Sequence, residues 1–302
     1  MQELTTLIEQ YIVKEKLPMA YLDDALKWFN PLCDSIQLHQ NKSNHLQAAK
    51  SSPYFIGVNG CQGSGKSTLS GLMSHLFNQY YGKKSIVLSL DDFYYTKAER
   101  VNLAQTVHPL LATRGVPGTH DTKLISAVFH SLAQGNATNI PTFDKSIDDR
   151  AAIDKWQKVG SPVDIVIMEG WCWGTQAQEN DALPQAVNEF ESKYDHDGTW
   201  RQYVNSALAT TYAPLYAYMS CWVFLKAPSF DAVYAWRREQ EEKLKLRVGN
   251  ASHIMSDAEI LTFIQYYQRL TEHTLYTLGN YADFIFELDK ERNITKSRHN
   301  AK

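Results

Sequence analysis

Gly60-Cys61-Gln62-Gly63-Ser64-Gly65-Lys66-Ser67 fits the phosphate-binding pattern G-x-x-x-x-G-K-[ST] at every specified position. Before it, Tyr54-Phe55-Ile56-Gly57-Val58 reads as a short apolar strand. After it, Leu69, Leu72, Met73, Leu76, Phe77 and Tyr80 recur with helical period. Strand, glycine loop and helix therefore stand in the order that a polyphosphate cradle needs. Glycines let backbone N–H groups turn inward, and the helix N-terminus adds partial positive charge. Gly60, Cys61, Gln62, Gly63, Ser64, Gly65, Lys66, Ser67 and the following Thr68 are the expected nucleotide contacts. Lys66 would neutralise the β- and γ-phosphates, and the Ser67 hydroxyl would face Mg²⁺. The plain alternative is a glycine-rich turn before a core helix, which the flanking pattern disfavours.

Outward from this loop, strand and helix patterns alternate. Ser85-Ile86-Val87-Leu88-Ser89-Leu90 is a second buried strand, preceded by Gly82 at the end of the loop helix. Asp121 can cap a helix carrying Leu124, Ile125, Val128, Phe129 and Leu132, stopped by Gly135. Val163 to Met168 is a third strand and Cys221 to Leu225 a fourth, with Ser229 opening the next helix. Ser256 and Glu259 form a capping box, and Phe284-Ile285-Phe286 is a fifth strand. Apolar strands separated by amphipathic helices predict an α/β fold, a doubly wound, mainly parallel five-stranded sheet with helices on both faces. Two apolar stripes, Leu4, Leu7, Ile8, Tyr11, Ile12 and then Leu22, Ala25, Leu26, Phe29, predict an N-terminal helical extension. Pro31 is expected to interrupt it, and Gln37 to Ser52 to connect it to the first strand.

The 302 residues, 44% hydrophobic and 21% charged, suffice for a large core in one domain, or in one domain with an appendage. A net charge of −3 carries no polybasic field, so neither nucleic acid nor an anionic membrane is expected as a partner. The N-terminus lacks a cationic, apolar leader, and the most apolar window, Tyr212 to Leu225, is too short to span a bilayer. Cys33, Cys61, Cys172 and Cys221 are scattered without a C-x-x-C pair, which fits a reducing, cytoplasmic location. Cys61 is read as a small loop residue without a redox role.

In parallel sheets of this kind, ligands bind beyond the carboxyl ends of the strands. Asp91 and Asp92 follow the second strand, and Glu169 follows the third. Phosphoryl transfer needs one carboxylate to orient the attacking hydroxyl and take its proton, and another for the Mg²⁺ shell. Asp91 suits the first role and Glu169 the second. Alternation along a strand predicts that Asp91 and Asp92 point apart, leaving Asp92 to the metal's water shell or to a turn. Turn-capping acids at strand ends are the ordinary alternative for all three.

Several of these stretches together resemble the D-glycerate 3-kinase family. They are Gly60 to Ser67, Ser89-Leu90-Asp91-Asp92-Phe93-Tyr94, Gly118-Thr119-His120-Asp121, Pro141-Thr142-Phe143-Asp144-Lys145-Ser146 and Glu169-Gly170-Trp171. Trp236-Arg237, Met255 to Glu259 and Asp289-Lys290-Glu291-Arg292-Asn293 continue the match, which covers roughly residues 54 to 294. That family sits in a wider group of P-loop kinases with uridine, pantothenate and phosphoribulose kinases. The resemblance implies a P-loop NTPase fold, with residues 1–50 as the helical extension and 51–302 as the kinase domain. It implies ATP and Mg²⁺ as cofactors and Asp91 as the base. In one departure, Phe143 stands where the family pattern has tyrosine, so a phenol contact is absent.

The same resemblance places an acceptor beside Asp91 and the loops at 114–121 and 141–150. Arg114, Lys145 and Arg150 would supply cations for a small hydroxy acid, a guanidinium being shaped for a carboxylate. His120 would hydrogen-bond a substrate hydroxyl or brace the loop, and Asp121 belongs to the same stretch. Arg237 corresponds to a lid arginine that reaches the transferring phosphate. Arg238, Lys243, Lys245 and Arg247 continue the basic stretch as a solvated face, with acidic i,i+4 partners. The expected function is transfer of the γ-phosphoryl group of ATP to D-glycerate. The alternatives are a P-loop kinase for a nucleoside, pantothenate or a sugar derivative, and a nucleotide-dependent switch or assembly ATPase.

Overall fold

The computed structural model describes residues 2–46, 52–160, 162–248 and 255–300. The first helix, α1, spans Gln2–Glu15. A second begins as α2 (Tyr21–Asp24), passes through a π turn at Ala25–Phe29 and continues as α3 (Asn30–Leu46). The helix thus runs on through Pro31 and well past Gln37, correcting the expected break and connection; residues 47–51 of that connection lie outside the described set. Proline lacks an N–H and crowds the carbonyl one turn back, and widening the turn to π geometry makes room for it.

The chain then alternates as expected. Strand β1 (Tyr54–Gly60) leads through the glycine loop into α4 (Lys66–Gln79), and β2 (Ser85–Ser89) is followed by α5 (Lys97–Thr106) and α6 (Thr122–Ala133). Two short ribbons follow, of β3 (Thr138–Ile140) with β6 (Gln157–Val159) and of β4 (Phe143–Asp144) with β5 (Asp149–Arg150). Next come β7 (Ile165–Gly170), α7 (Glu189–Tyr194), α8 (Thr199–Ala207), a π turn at Leu208–Tyr212 and α9 (Ala213–Tyr216). This second π turn also precedes a proline, Pro214. The chain closes with β8 (Cys221–Lys226), α10 (Phe230–Val248), α11 (Asp257–Thr277), β9 (Phe284–Leu288) and β10 (Ile294–His299). The side chains of Lys243, Lys245 and Arg247 fall outside the described ones.

The main sheet has six strands in the order β10-β9-β8-β1-β7-β2. Five are parallel, and β10 adds an antiparallel edge that the sequence reading does not contain. Side-chain alternation divides the core between the two faces. Phe55, Val166, Met168 and Phe224 enter one cluster with α6, α8 and α11. Ile56, Val58, Ile165, Ile167 and Val223 enter the other, with α1, α3 and α4. The N-terminal helices therefore cover sheet and loop helix together. Leu4, Ile8, Tyr11 and Ile12 are buried there, each contributing about 2 kcal/mol. Tyr11 also donates its hydroxyl to the Thr68 carbonyl at 2.9 Å, inside the first turn of α4. No described helix is long and apolar enough to cross a membrane.

Candidate active site

The glycine loop leaves the middle of the sheet, where β1 lies between β7 and β8. Gly63 and Gly65 adopt φ of 79° and 90°, which L side chains rarely tolerate. A Cβ on Gly63 would also lie 2.8 Å from the Trp236 Cβ. The loop is braced from outside: Arg292 Nε donates to the Gly63 carbonyl at 2.9 Å, and its guanidinium lies 5.3 Å from the Trp236 ring centre. Trp236 in turn donates Nε1–H to the Lys290 carbonyl at 2.6 Å. These contacts unite the Trp236-Arg237 and Asp289–Asn293 stretches around the loop. Cys61 is buried, which pushes its thiol up to about 12, so it is no thiolate at neutral pH.

Glu169 ends β7 in register with Val58 of β1 and Ser89 of β2. Its Oε1 accepts from Ser67 Oγ and Ser89 Oγ, both at 3.0 Å. Glu169 is buried, and its Oε2 has no protein partner among the described residues. A buried, charged oxygen without a donor is costly, so a hydroxyl and an open carboxylate oxygen side by side make a place suited to a hard cation such as Mg²⁺.

Asp91 and Asp92 lie in a 3₁₀ turn, Leu90–Phe93, not in a continuing strand. The alternation argument therefore does not apply there, yet the two side chains still part. Asp91 accepts from Tyr94 Oη at 3.1 Å and pairs with Lys145 Nζ at 2.8 Å. Burial alone would raise its pKa, but the Lys145 ammonium, with Lys66 further off, holds it below the usual aspartate range. Asp92 accepts the Phe143 N–H at 3.1 Å, securing β4 against the turn, and burial raises its pKa. Asp92 thus takes the turn-bracing place.

Asp91, Lys66, Arg114, Lys145 and Arg237 line one cavity of about 520 Å³. His120, Asp121 and Arg150 do not line it. His120 lies behind Tyr94, its ring stacked at 4.3 Å, with Nδ1 2.6 Å from Tyr212 Oη. Burial lowers its pKa to about 3, so it stays neutral. Asp121 caps α6 by accepting from Leu124 N–H at 2.9 Å. Arg150 pairs with Asp121 at 3.2 Å and donates to the Tyr94 carbonyl at 2.9 Å. These three residues fix the position of Tyr94, and through it the Asp91 hydrogen bond.

Arg114 does reach the cavity, where its Nη1 pairs with Asp148 Oδ1. Arg100 on α5, which the sequence reading leaves unmentioned, joins it there although it is almost wholly buried. Phe143 lies under both guanidiniums, 5.3 Å from Arg114 and 5.8 Å from Arg100, so this ring supports cations. Arg237 pairs with buried Glu241 at 2.8 Å and lies 5.2 Å from the Phe263 ring, leaving its head on the cavity wall. Arg238 forms an exposed i,i+4 pair with Glu242 at 3.3 Å.

Residues 55–178, which carry the glycine loop, the acid turn and Glu169, match the Phosphoribulokinase / Uridine kinase family. An uncharacterized kinase of Schizosaccharomyces pombe, mug58, is 33% identical over 237 residues, 76% of this chain and 83% of that one. The chloroplastic D-glycerate 3-kinase of Arabidopsis thaliana is 30% identical over 278 residues, 86% of this chain and 57% of that one. The solved structure of D-glycerate 3-kinase from Cryptococcus neoformans superposes with a TM-score of 0.76 at 25% identity, covering 90% of this chain and 99% of its own. Residues 55–178 thus form a phosphoribulokinase/uridine kinase family domain, and the chain belongs to the group of ATP-dependent P-loop kinases.

Proposed function

We propose that the protein transfers the γ-phosphoryl group of ATP to a hydroxyl of D-glycerate. The observation that carries this reading is the cavity. Its wall brings Lys66 of the phosphate loop and the ionised Asp91 together with Arg100 and Arg114. Five cations (Lys66, Arg100, Arg114, Lys145, Arg237) face two carboxylates (Asp91, Asp148), a net +3 that suits phosphates plus an anionic acceptor. Two similar proteins bear the name D-glycerate 3-kinase.

In this reading the acceptor hydroxyl lies against Asp91 Oδ2 and attacks the γ-phosphorus in line with the departing ADP oxygen. Asp91 is a weak base, which is adequate because the hydroxyl becomes strongly acidic only as its bond to phosphorus forms. Tyr94 holds the other Asp91 oxygen. Lys66 and Arg237 offset the charge that moves onto the phosphates. Ser67 and Glu169 Oε2 would hold Mg²⁺, which when bound neutralises the β- and γ-phosphates.

The test is ADP release by the purified protein across D-glycerate, L-glycerate, uridine, pantothenate and ribulose 5-phosphate. A selective response to D-glycerate is expected. Preference for uridine or pantothenate, or turnover without any acceptor, would refute the reading.

A further inference from the structure

One carboxylate in the cavity belongs to neither the nucleotide machinery nor the base. Asp148 sits at the tip of the β4–β5 ribbon with φ of 54°, a left-handed backbone that Asn, Asp and Gly adopt most readily. Two guanidiniums converge on it. Arg100 Nη2 lies 3.0 Å from Asp148 Oδ2 and donates to the Asp148 carbonyl at 2.6 Å. Its remaining groups are spent on the Ala112 and Tyr95 carbonyls, at 2.8 Å and 3.3 Å. Arg100 is therefore committed to the protein. Arg114 is different: its side chain is 30% exposed, and among the described residues it has no hydrogen bond beyond Nη1 to Asp148. A guanidinium has five donors, so the Nε and Nη2 side of Arg114 can still take a planar carboxylate in bidentate fashion.

We propose that Asp148 sets the charge of the acceptor. The inference rests on the anionic-acceptor reading above. Two fixed cations with one resident carboxylate leave a single positive charge, which matches a monoanionic hydroxy acid. An uncharged alcohol leaves that charge without a partner. A dianion brings its second negative charge close to Asp148, where repulsion in a partly buried wall is strong. Asp148 is thus a specificity-determining residue that admits one carboxylate and opposes two.

The experiment compares two inhibitors of D-glycerate phosphorylation, D-lactate as the monoanion and tartronate as the dianion, in wild type, Asp148→Asn and Asp148→Gly. Both substitutions suit a positive φ, and thermal midpoints confirm that the variants fold. Removing the resident charge is expected to tighten tartronate inhibition about tenfold relative to D-lactate. Arg114→Gln, which removes a cation instead, is expected to weaken both inhibitors. Glycerate turnover with an unmoved tartronate-to-lactate ratio in both Asp148 variants would overturn the role of Asp148 while leaving the acceptor reading intact. Wild-type turnover of an uncharged acceptor in place of any hydroxy acid would overturn both.

Discussion

Lys145 Nζ lies 2.8 Å from Asp91 Oδ2, on the wall of the cavity that Lys66 of the phosphate loop also lines. The ammonium of an exposed hairpin lysine therefore helps keep a partly buried carboxylate charged. Because the folded pKa is depressed, the charged form of Asp91 stabilises the fold above the ordinary aspartate range. That contribution is lost as pH falls through the depressed value. In wild type the acid limb of kcat/KM due to Asp91 is expected below about pH 4. In Lys145→Ala burial is opposed mainly by the more distant Lys66, so the limb should move upward. A pH–rate profile of the variant with its acid limb unmoved would show that Lys145 does not tune the base.

The two adjacent acids are expected to separate kinetically. Asp91→Asn keeps shape while removing proton acceptance and should lower kcat about a hundredfold or more, with ATP binding retained. Asp92→Asn loses a charged acceptor for the Phe143 N–H. It should disturb the 141–150 hairpin and raise the acceptor KM more than it lowers kcat. A larger kcat loss in Asp92→Asn would reverse the assignment.

Glu169→Gln retains a side-chain oxygen for Ser67 and Ser89 but replaces the open carboxylate. The Mg²⁺ concentration for half-maximal rate should rise about tenfold or more. An unchanged Mg²⁺ titration would place the cation elsewhere.

Helix α11 brings Phe263 and Tyr267 to the cavity. Arg269 and Glu191 form a buried pair at 2.7 Å, with side chains 7% and 1% exposed. Glu191→Ala strands the guanidinium and should cost about 3–5 kcal/mol by denaturant titration. A loss under about 1 kcal/mol would mean that water reaches the site and compensates.

What could be read in the sequence was whatever is written in contiguous spacing. The phosphate loop, Asp91 at the end of β2 and Glu169 at the end of β7 are each set by a strand and the few residues after it, so pattern suffices. His120 and Arg150 were legible as belonging to the region but not as lying behind Tyr94, because a ring stack and a carbonyl contact across 56 positions leave no local signal. Arg100 sits in Lys97–Thr106, a polar helix in which it is the one buried residue, so its composition reads as a solvated face. Strand β10, Ile294–His299, carries mostly exposed side chains and gives no apolar run to find. The helix through Pro31 depends on a π turn, which no propensity marks.

Phosphorus NMR of the complete reaction, with ATP, Mg²⁺ and D-glycerate, tests the central claim most directly. A new phosphomonoester resonance should grow one for one with ADP and vanish when glycerate is omitted. Growth of inorganic phosphate at the same rate with and without glycerate would contradict the claim.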